Sequence, residues 1–219
     1  MPKSRRGDIL APMTELILIR HGQTPGNAAG LLEGWNDKGL TALGTAQARA
    51  VAHRLAGECD RDAVAALYTS PLRRALRTAR IVGEALGQQP VSVEGLREIN
   101  FGELCDVPVK NLETHYPELF ARWSDRMDAS FQWPGGEQRG EFMRRVARAC
   151  DAILARHPDE CVVVVAHSGT LRMCLAHLLP NQLGRWWEFG LDNCGLTRVS
   201  VTASGARLVA LNDTAHLGE

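Results

Sequence analysis

The apolar run Leu16-Ile17-Leu18-Ile19 ends abruptly in Arg20-His21-Gly22-Gln23-Thr24. Consecutive bulky aliphatic residues without alternation predict a strand buried on both faces, as in a parallel sheet. Open α/β sheets place their ligand crevice beyond the carboxyl ends of such strands. The polar residues of this run therefore fall where a crevice is expected. An imidazole beside a guanidinium in that position can attack a phosphate and hold it.

The pattern recurs. Cys161–Ala166 reads as a second buried strand and ends in His167-Ser168-Gly169. Between the two, Thr41 is placed to cap a helix over 42–57, with Leu43, Ala46, Ala50, Val51 and Leu55 on its apolar face. Residues 63–69 predict a strand, and Ser70-Pro71 a helix start, with Ser as cap and Pro at the first helical position. Gly87 ends that helix. A short strand at 91–93 and irregular chain over 96–110 follow. Tyr116-Pro117 either starts one short helix or separates two. Further helices are expected at 137–156 and 169–179, and late strands at 194–201 and 206–211. Strands separated by helices predict an α/β fold, a three-layer sandwich with a central, mostly parallel sheet. Residues 1–13 are expected to be a loose leader and 14–219 one catalytic domain.

Lys plus Arg and Asp plus Glu each total 25, so the formal net charge is zero. Such a balance offers no basic footprint for nucleic acid or an anionic membrane. No N-terminal stretch has the apolar length of a signal peptide, and no segment is apolar enough to span a bilayer. The six cysteines are scattered without a CxxC pair and are expected to be reduced thiols of a cytoplasmic protein. The sequence is compatible with a homodimer but fixes no oligomeric state.

The chemistry-bearing residues favour a phosphate monoester. In a parallel sheet His21 and His167 face one side. Arg20 supplies a fixed fork of donors. Ser70, Arg73, Arg74 and Arg77 surround a helix start whose N–H groups and dipole suit an anion. Arg73 and Arg74 cannot both turn inward, and spacing alone does not choose between them. Glu98 falls near the same rim. There it can give a proton to a leaving oxygen and then activate water. Metal chemistry lacks an HExxH or compact His/Cys cluster, and Ala166-His167-Ser168-Gly169 is no nucleophile elbow. Neither a Walker loop nor a Rossmann glycine fingerprint is present. Trp186-Trp187 reads as core or interface packing.

The ordered motifs resemble the histidine phosphatase superfamily, also called phosphoglycerate-mutase-like. They are Arg20-His21-Gly22-Gln23-Thr24 with Asn27, Gly34-Trp35-Asn36-Asp37, Leu40-Thr41, Ser70-Pro71-Leu72-Arg73-Arg74-Ala75, Leu96-Arg97-Glu98, Pro134-Gly135-Gly136-Glu137 and Val164-Val165-Ala166-His167-Ser168-Gly169. The resemblance implies that His21 is phosphorylated, that Glu98 is proton donor and general base, and that Arg20, Arg74 and His167 hold the phosphoryl group. Asn27 and the Ser168 N–H add donors. It chooses Arg74 over Arg73. It also implies no metal and no organic cofactor, and a variable substrate wall near 103–136.

Two positions depart from the family pattern. Glu33-Gly34 stands where many members have Gln-Gly, and Glu103-Leu104-Cys105-Asp106 replaces a Trp-Glu-Gly-like run. Only residues 99–134 lie between the acid and the Gly-Gly segment, where glycolytic mutases carry a longer insertion. The expected activity is therefore hydrolysis of a small phosphorylated metabolite. The alternatives are an α-ribazole phosphatase, a cofactor-dependent phosphoglycerate mutase and a noncatalytic phosphate-binding interaction protein. Glu33, Trp35, Leu104, Phe131 and Trp133 are the candidate substrate-pocket residues.

Overall fold

The computed structural model describes residues 13–58, 63–179 and 185–218. Of the expected leader, only Met13 falls within these residues, and it already belongs to the first strand. One six-stranded sheet runs in the order β3-β2-β4-β1-β5-β6. Its strands are β1 (Met13–Arg20), β2 (Val64–Thr69), β3 (Pro90–Ser92), β4 (Cys161–Ala166), β5 (Leu196–Thr202) and β6 (Gly205–Asp213). The first four are parallel, and β5 and β6 are antiparallel at one side.

The register decides where the chemistry sits. Arg20 pairs with Ala166 and Thr69 with Val165, so β1, β2 and β4 end at one level. The ladder continues one residue further, since His21 N donates to Ala166 O and Ser70 N to Val165 O. His21, Ser70 and His167 therefore emerge side by side from three adjacent strands.

Strand side chains alternate between the faces of a sheet. Ile17, Ile19, Val163 and Val165 meet Val51, Leu55, Ala79 and Val82 of α2 (Ala42–Glu58) and α3 (Arg73–Leu86). Leu16, Leu18, Val162 and Val164 meet Ala149, Ile153, Leu171 and Leu175 of α6 (Arg139–Leu154) and α7 (Ser168–Leu178). Both faces of β1 are covered, as its unalternating sequence requires.

Local chemistry sets the helix ends. Thr41 Oγ1 accepts from Gly44 N at 2.9 Å, capping α2 as expected. The buried face of α2 is Gly44, Ala48, Val51, Ala52 and Leu55, whereas Leu43 and Ala46, expected inside, are exposed. The helix is turned by the close approach of Gly44 to the site loop. A Cβ on Gly22 would lie 2.2 Å from Gly44 O. Helix α3 starts at Arg73, two residues later than Ser70-Pro71 predicts. The Asp37 carboxylate, from a separate loop, accepts from Arg73 N and Arg74 N and caps it instead. Gly87 closes α3 with a left-handed φ of 71°.

Residues 102–138 form the wall over the strand ends. Tyr116-Pro117 separates two short helices, α4 (Leu112–His115) and α5 (Pro117–Ser124), which follow the one-turn α1 (Pro25–Ala28) in the helix series. The wall has its own apolar centre of Leu32, Leu104, Leu112, Phe131 and Trp133. Arg139 pins it by donating to the carbonyls of Trp123, Asp125 and Asp128.

Cys150 on α6 and Cys174 on α7 are joined in a disulfide, correcting the expectation of reduced thiols. The two residues are 24 apart in sequence and carry no CxxC signature, yet helix packing brings their Cα atoms to 6.4 Å, within normal bridging range. No helix among the described residues is long and apolar enough to cross a membrane.

Candidate active site

The strand ends open into a cleft of about 410 Å³ lined by Arg20, His21, Asn27, Glu33, Arg74, Glu98 and Ser168. His21 is 3% exposed. Its Nδ1 lies 2.8 Å from Gly22 O, an acceptor that places the ring proton on Nδ1. Nε2 keeps its lone pair and receives Arg74 Nε at 3.3 Å. Burial, then Arg74, then Arg20, hold the His21 pKa well below the ordinary histidine value. The ring is therefore a neutral base with one fixed tautomer.

Arg74 is the inward arginine, and Arg73 and Arg77 are exposed. Its Nη1 and Nη2 donate to Asn36 O and Gly34 O at 2.9 and 2.6 Å. Asp37 Oδ1 stands 3.6 Å from Nη1. The Asn36-Asp37 loop thus both orients the guanidinium and consumes the N–H groups of α3 that were expected to hold an anion.

His167 packs behind His21, with ring centroids 5.0 Å apart. Its Nε2 is 2.8 Å from Ser70 Oγ, while Nδ1 is buried without a partner. Burial first, and Arg74 second, also depress its pKa well below the usual range. Ser70, expected as a helix cap, instead positions this imidazole. Arg20 Nη1 donates to Leu191 O at 2.8 Å, and its Nε has no partner.

Glu98 sits over the start of α7. Its carboxylate accepts from Gly169 N at 2.9 Å and Ile99 N at 3.0 Å. Only glycine allows this approach, because a Cβ at 169 would lie 2.4 Å from Glu98 Oε1. The Glu98 carbonyl is held by Trp35 Nε1 and Arg145 Nη2, both at 2.8 Å. Arg145 also grips Glu137 in a half-buried ion pair.

Glu33 is 6% exposed and lines the cleft. One carboxylate oxygen accepts from Thr24 Oγ1 at 2.6 Å and Asn27 Nδ2 at 3.1 Å, and the other is buried without a partner. Asn193, which the sequence marks only as a late strand entry, links this corner to the His21 loop. Its Nδ2 donates to His21 O at 2.8 Å and Asn27 Oδ1 at 3.0 Å.

The proposed substrate-pocket residues separate. Glu33 and Trp133 line the cleft, while Leu104 and Phe131 are buried in the wall beneath it. Trp35 faces a shallow depression on the other side, under the Arg97 guanidinium. Trp186 packs against the cluster of Phe142, Val146 and Met173, as core packing expects, and with Trp187 it also lines the cleft, as do Trp123, Arg126 and Arg172. A wall arginine and one a helical turn after Ser168 carry no sequence signal that separates them from surface charge.

Residues 16–214 match the model of the histidine phosphatase superfamily, branch 1. Phosphoserine phosphatase 1 of Hydrogenobacter thermophilus is 31% identical over 207 residues, covering 94% of this chain and 96% of that protein. A relative from Yersinia enterocolitica that carries a phosphoglycerate mutase name is 32% identical, covering 94% and 95%. The structure of an Entamoeba histolytica phosphoserine phosphatase variant in complex with phosphoserine superposes with a TM-score of 0.79 at 28% identity, covering 93% of this chain and 99% of the other. With its paired strand-end histidines and inward Arg74, the chain belongs to the histidine phosphatase superfamily.

Proposed function

We propose that the chain hydrolyses the phosphomonoester of a small metabolite through a phosphohistidine on His21. The observation that carries this reading is the His21 ring, neutral, fixed by Gly22 O, and presenting Nε2 beside Arg74. Attack of Nε2 on phosphorus forms an N–P bond as the ester P–O bond breaks. Arg20, Arg74, His167, Asn27 and the Ser168 N–H receive the equatorial oxygens, where negative charge must be stabilised. Glu98 gives its proton to the leaving alkoxide and, as carboxylate, takes one from the water that attacks the phosphohistidine. The N–P bond breaks, inorganic phosphate leaves, and His21 is neutral again.

The cycle as proposed draws on these side chains and the Ser168 N–H alone. Arginines take the role a divalent ion fills elsewhere. Hydrolysis is favoured over transfer by the short wall and by the named phosphatases among the relatives. The mutase-named relative shares the first half-reaction, and the two activities part at the acceptor.

The test is phosphoenzyme trapping. Acid-labile, base-stable label from a labelled monoester should map to His21, and His21→Ala should abolish both label and phosphate release. Label persisting on another residue in that variant would overturn the assignment. Transfer to a bisphosphate-primed acceptor far exceeding phosphate release would replace hydrolysis by the mutase reading.

A further inference from the structure

Beyond the phosphoryl machinery, the cleft carries cationic groups with no assigned work. Five arginines and two glutamates line it. A phosphate dianion offsets Arg20 and Arg74. Of the other three, Arg172 feels the Glu98 carboxylate, and Arg139 those of Asp128 and Asp125. Arg139 is engaged, because its guanidinium donates to three wall carbonyls.

The other two are held but not saturated. Arg172 lies four residues after Ser168 and thus on the same side of α7. Its Nε donates to Phe189 O at 2.8 Å, leaving its terminal nitrogens without an acceptor among the described residues. Arg126 stacks 3.9 Å from the Trp123 ring centroid and donates one Nη to Trp123 O at 3.1 Å. Among the described residues neither has a carboxylate within ion-pair distance, unlike Arg145 and Arg198. Both are partly buried. Burial lowers the pKa of each; Arg139 and Arg172 push Arg126 down further, while the Glu98 carboxylate partly offsets the effect on Arg172. Like charges held together in a partly dehydrated cleft call for an anion.

We propose that Arg126 and Arg172 form a second anion subsite, which binds a carboxylate or further phosphate carried by the leaving group. The preferred substrate is then a phosphorylated hydroxy acid, a phosphorylated amino acid or a bisphosphate, rather than the phosphate of a neutral alcohol. Arg172 reaches from the helix that begins at the phosphoryl site, and Arg126 from the wall, so the anion lies between the transferred phosphate and the cleft mouth. The subsite rests on the phosphomonoesterase reading for its catalytic meaning, but its binding can be measured without turnover.

The experiment compares esters that differ by one anionic group. Phosphoserine against phosphoethanolamine isolates a carboxylate, and propane-1,3-diol bisphosphate against its monophosphate isolates a second phosphate. In the native chain, kcat/KM should favour the anionic member of at least one pair by about tenfold or more, as a charge-assisted contact implies. In the Arg126→Gln/Arg172→Gln variant that ratio should fall toward one. Arg172→Lys, which keeps a charge but loses the fork, should retain part of it. Equal rates within both pairs in the native chain, or a ratio unchanged in the double variant, would overturn the subsite. The same pairs are titrated calorimetrically against His21→Ala. A binding preference there with no hydrolysis by the native chain would sink the phosphatase reading and keep the subsite. Hydrolysis without any binding preference would do the reverse.

Discussion

At the scale of the residue, the site is governed by which polar atoms are already spent. Glu33 is the instructive case. Thr24 and Asn27 occupy one of its oxygens, and the other is buried without a partner at the edge of the cleft. A carboxylate can only accept, so facing a phosphate dianion it contributes repulsion. Glutamine retains an oxygen for Thr24 and Asn27 and replaces the orphaned acceptor by an amide donor. Glu33→Gln should therefore lower the inhibition constant for inorganic phosphate about tenfold, in line with ~1.5 kcal/mol for a hydrogen bond to a charged group. Competitive inhibition of monoester hydrolysis measures it. Unchanged or weaker phosphate inhibition would show that the orphaned oxygen does not meet the phosphate.

At the scale of the element, helix starts show how loops distant in sequence complete the site. The N-terminus of α3 is capped by Asp37 rather than by its own preceding serine, and the same carboxylate stands beside Arg74. Asp37→Ala should cost about 1–2 kcal/mol of stability, the usual loss of a helix cap. It should lower kcat as well, because Arg74 loses a brace. Urea unfolding and initial rates read the two effects, and an unchanged unfolding midpoint would remove Asp37 as the cap. The sequence made the strands legible because β1 and β4 are buried on both faces and read as continuous aliphatic runs. It made His21 and His167 legible because each follows such a run directly. It could not reveal Asp37 as a cap, since capping residues are sought just before a helix and this one lies 36 residues upstream of Arg73. Leu43 was misplaced for a related reason. The apolar count favoured it, while the close contact of Gly22 with Gly44 set the rotation of α2. Arg126 and Arg172 carry no sequence signal because their meaning depends on sharing one cleft with no ion-pair partner among the described residues, a tertiary property.

At the scale of the whole molecule, Glu98 is suspended between two helices of one layer that a disulfide ties together. Helix α7 offers Gly169 N to the Glu98 carboxylate, and α6 offers Arg145 to the carbonyls of Gly95, Arg97 and Glu98. Further along the same helices, Cys174 and Cys150 close a disulfide inside an apolar cluster with Phe142, Val146 and Met173. The segment it closes contains β4 and the β4–α7 turn bearing His167. A crosslink over a sequence separation of 24 removes unfolded-state entropy worth roughly 3 kcal/mol in the chain-closure account. Reduction should accordingly lower the unfolding free energy in urea by about 2–4 kcal/mol. Alkylation without reductant should leave Cys150 and Cys174 unmodified even in the unfolded chain. The Cys150→Ala/Cys174→Ala variant should match the reduced protein, apart from the small packing loss of two buried sulfurs, and should no longer respond to reductant. Full alkylation of the unreduced chain, or equal stability with and without reductant, would show that α6 and α7 hold the Glu98 segment by packing alone.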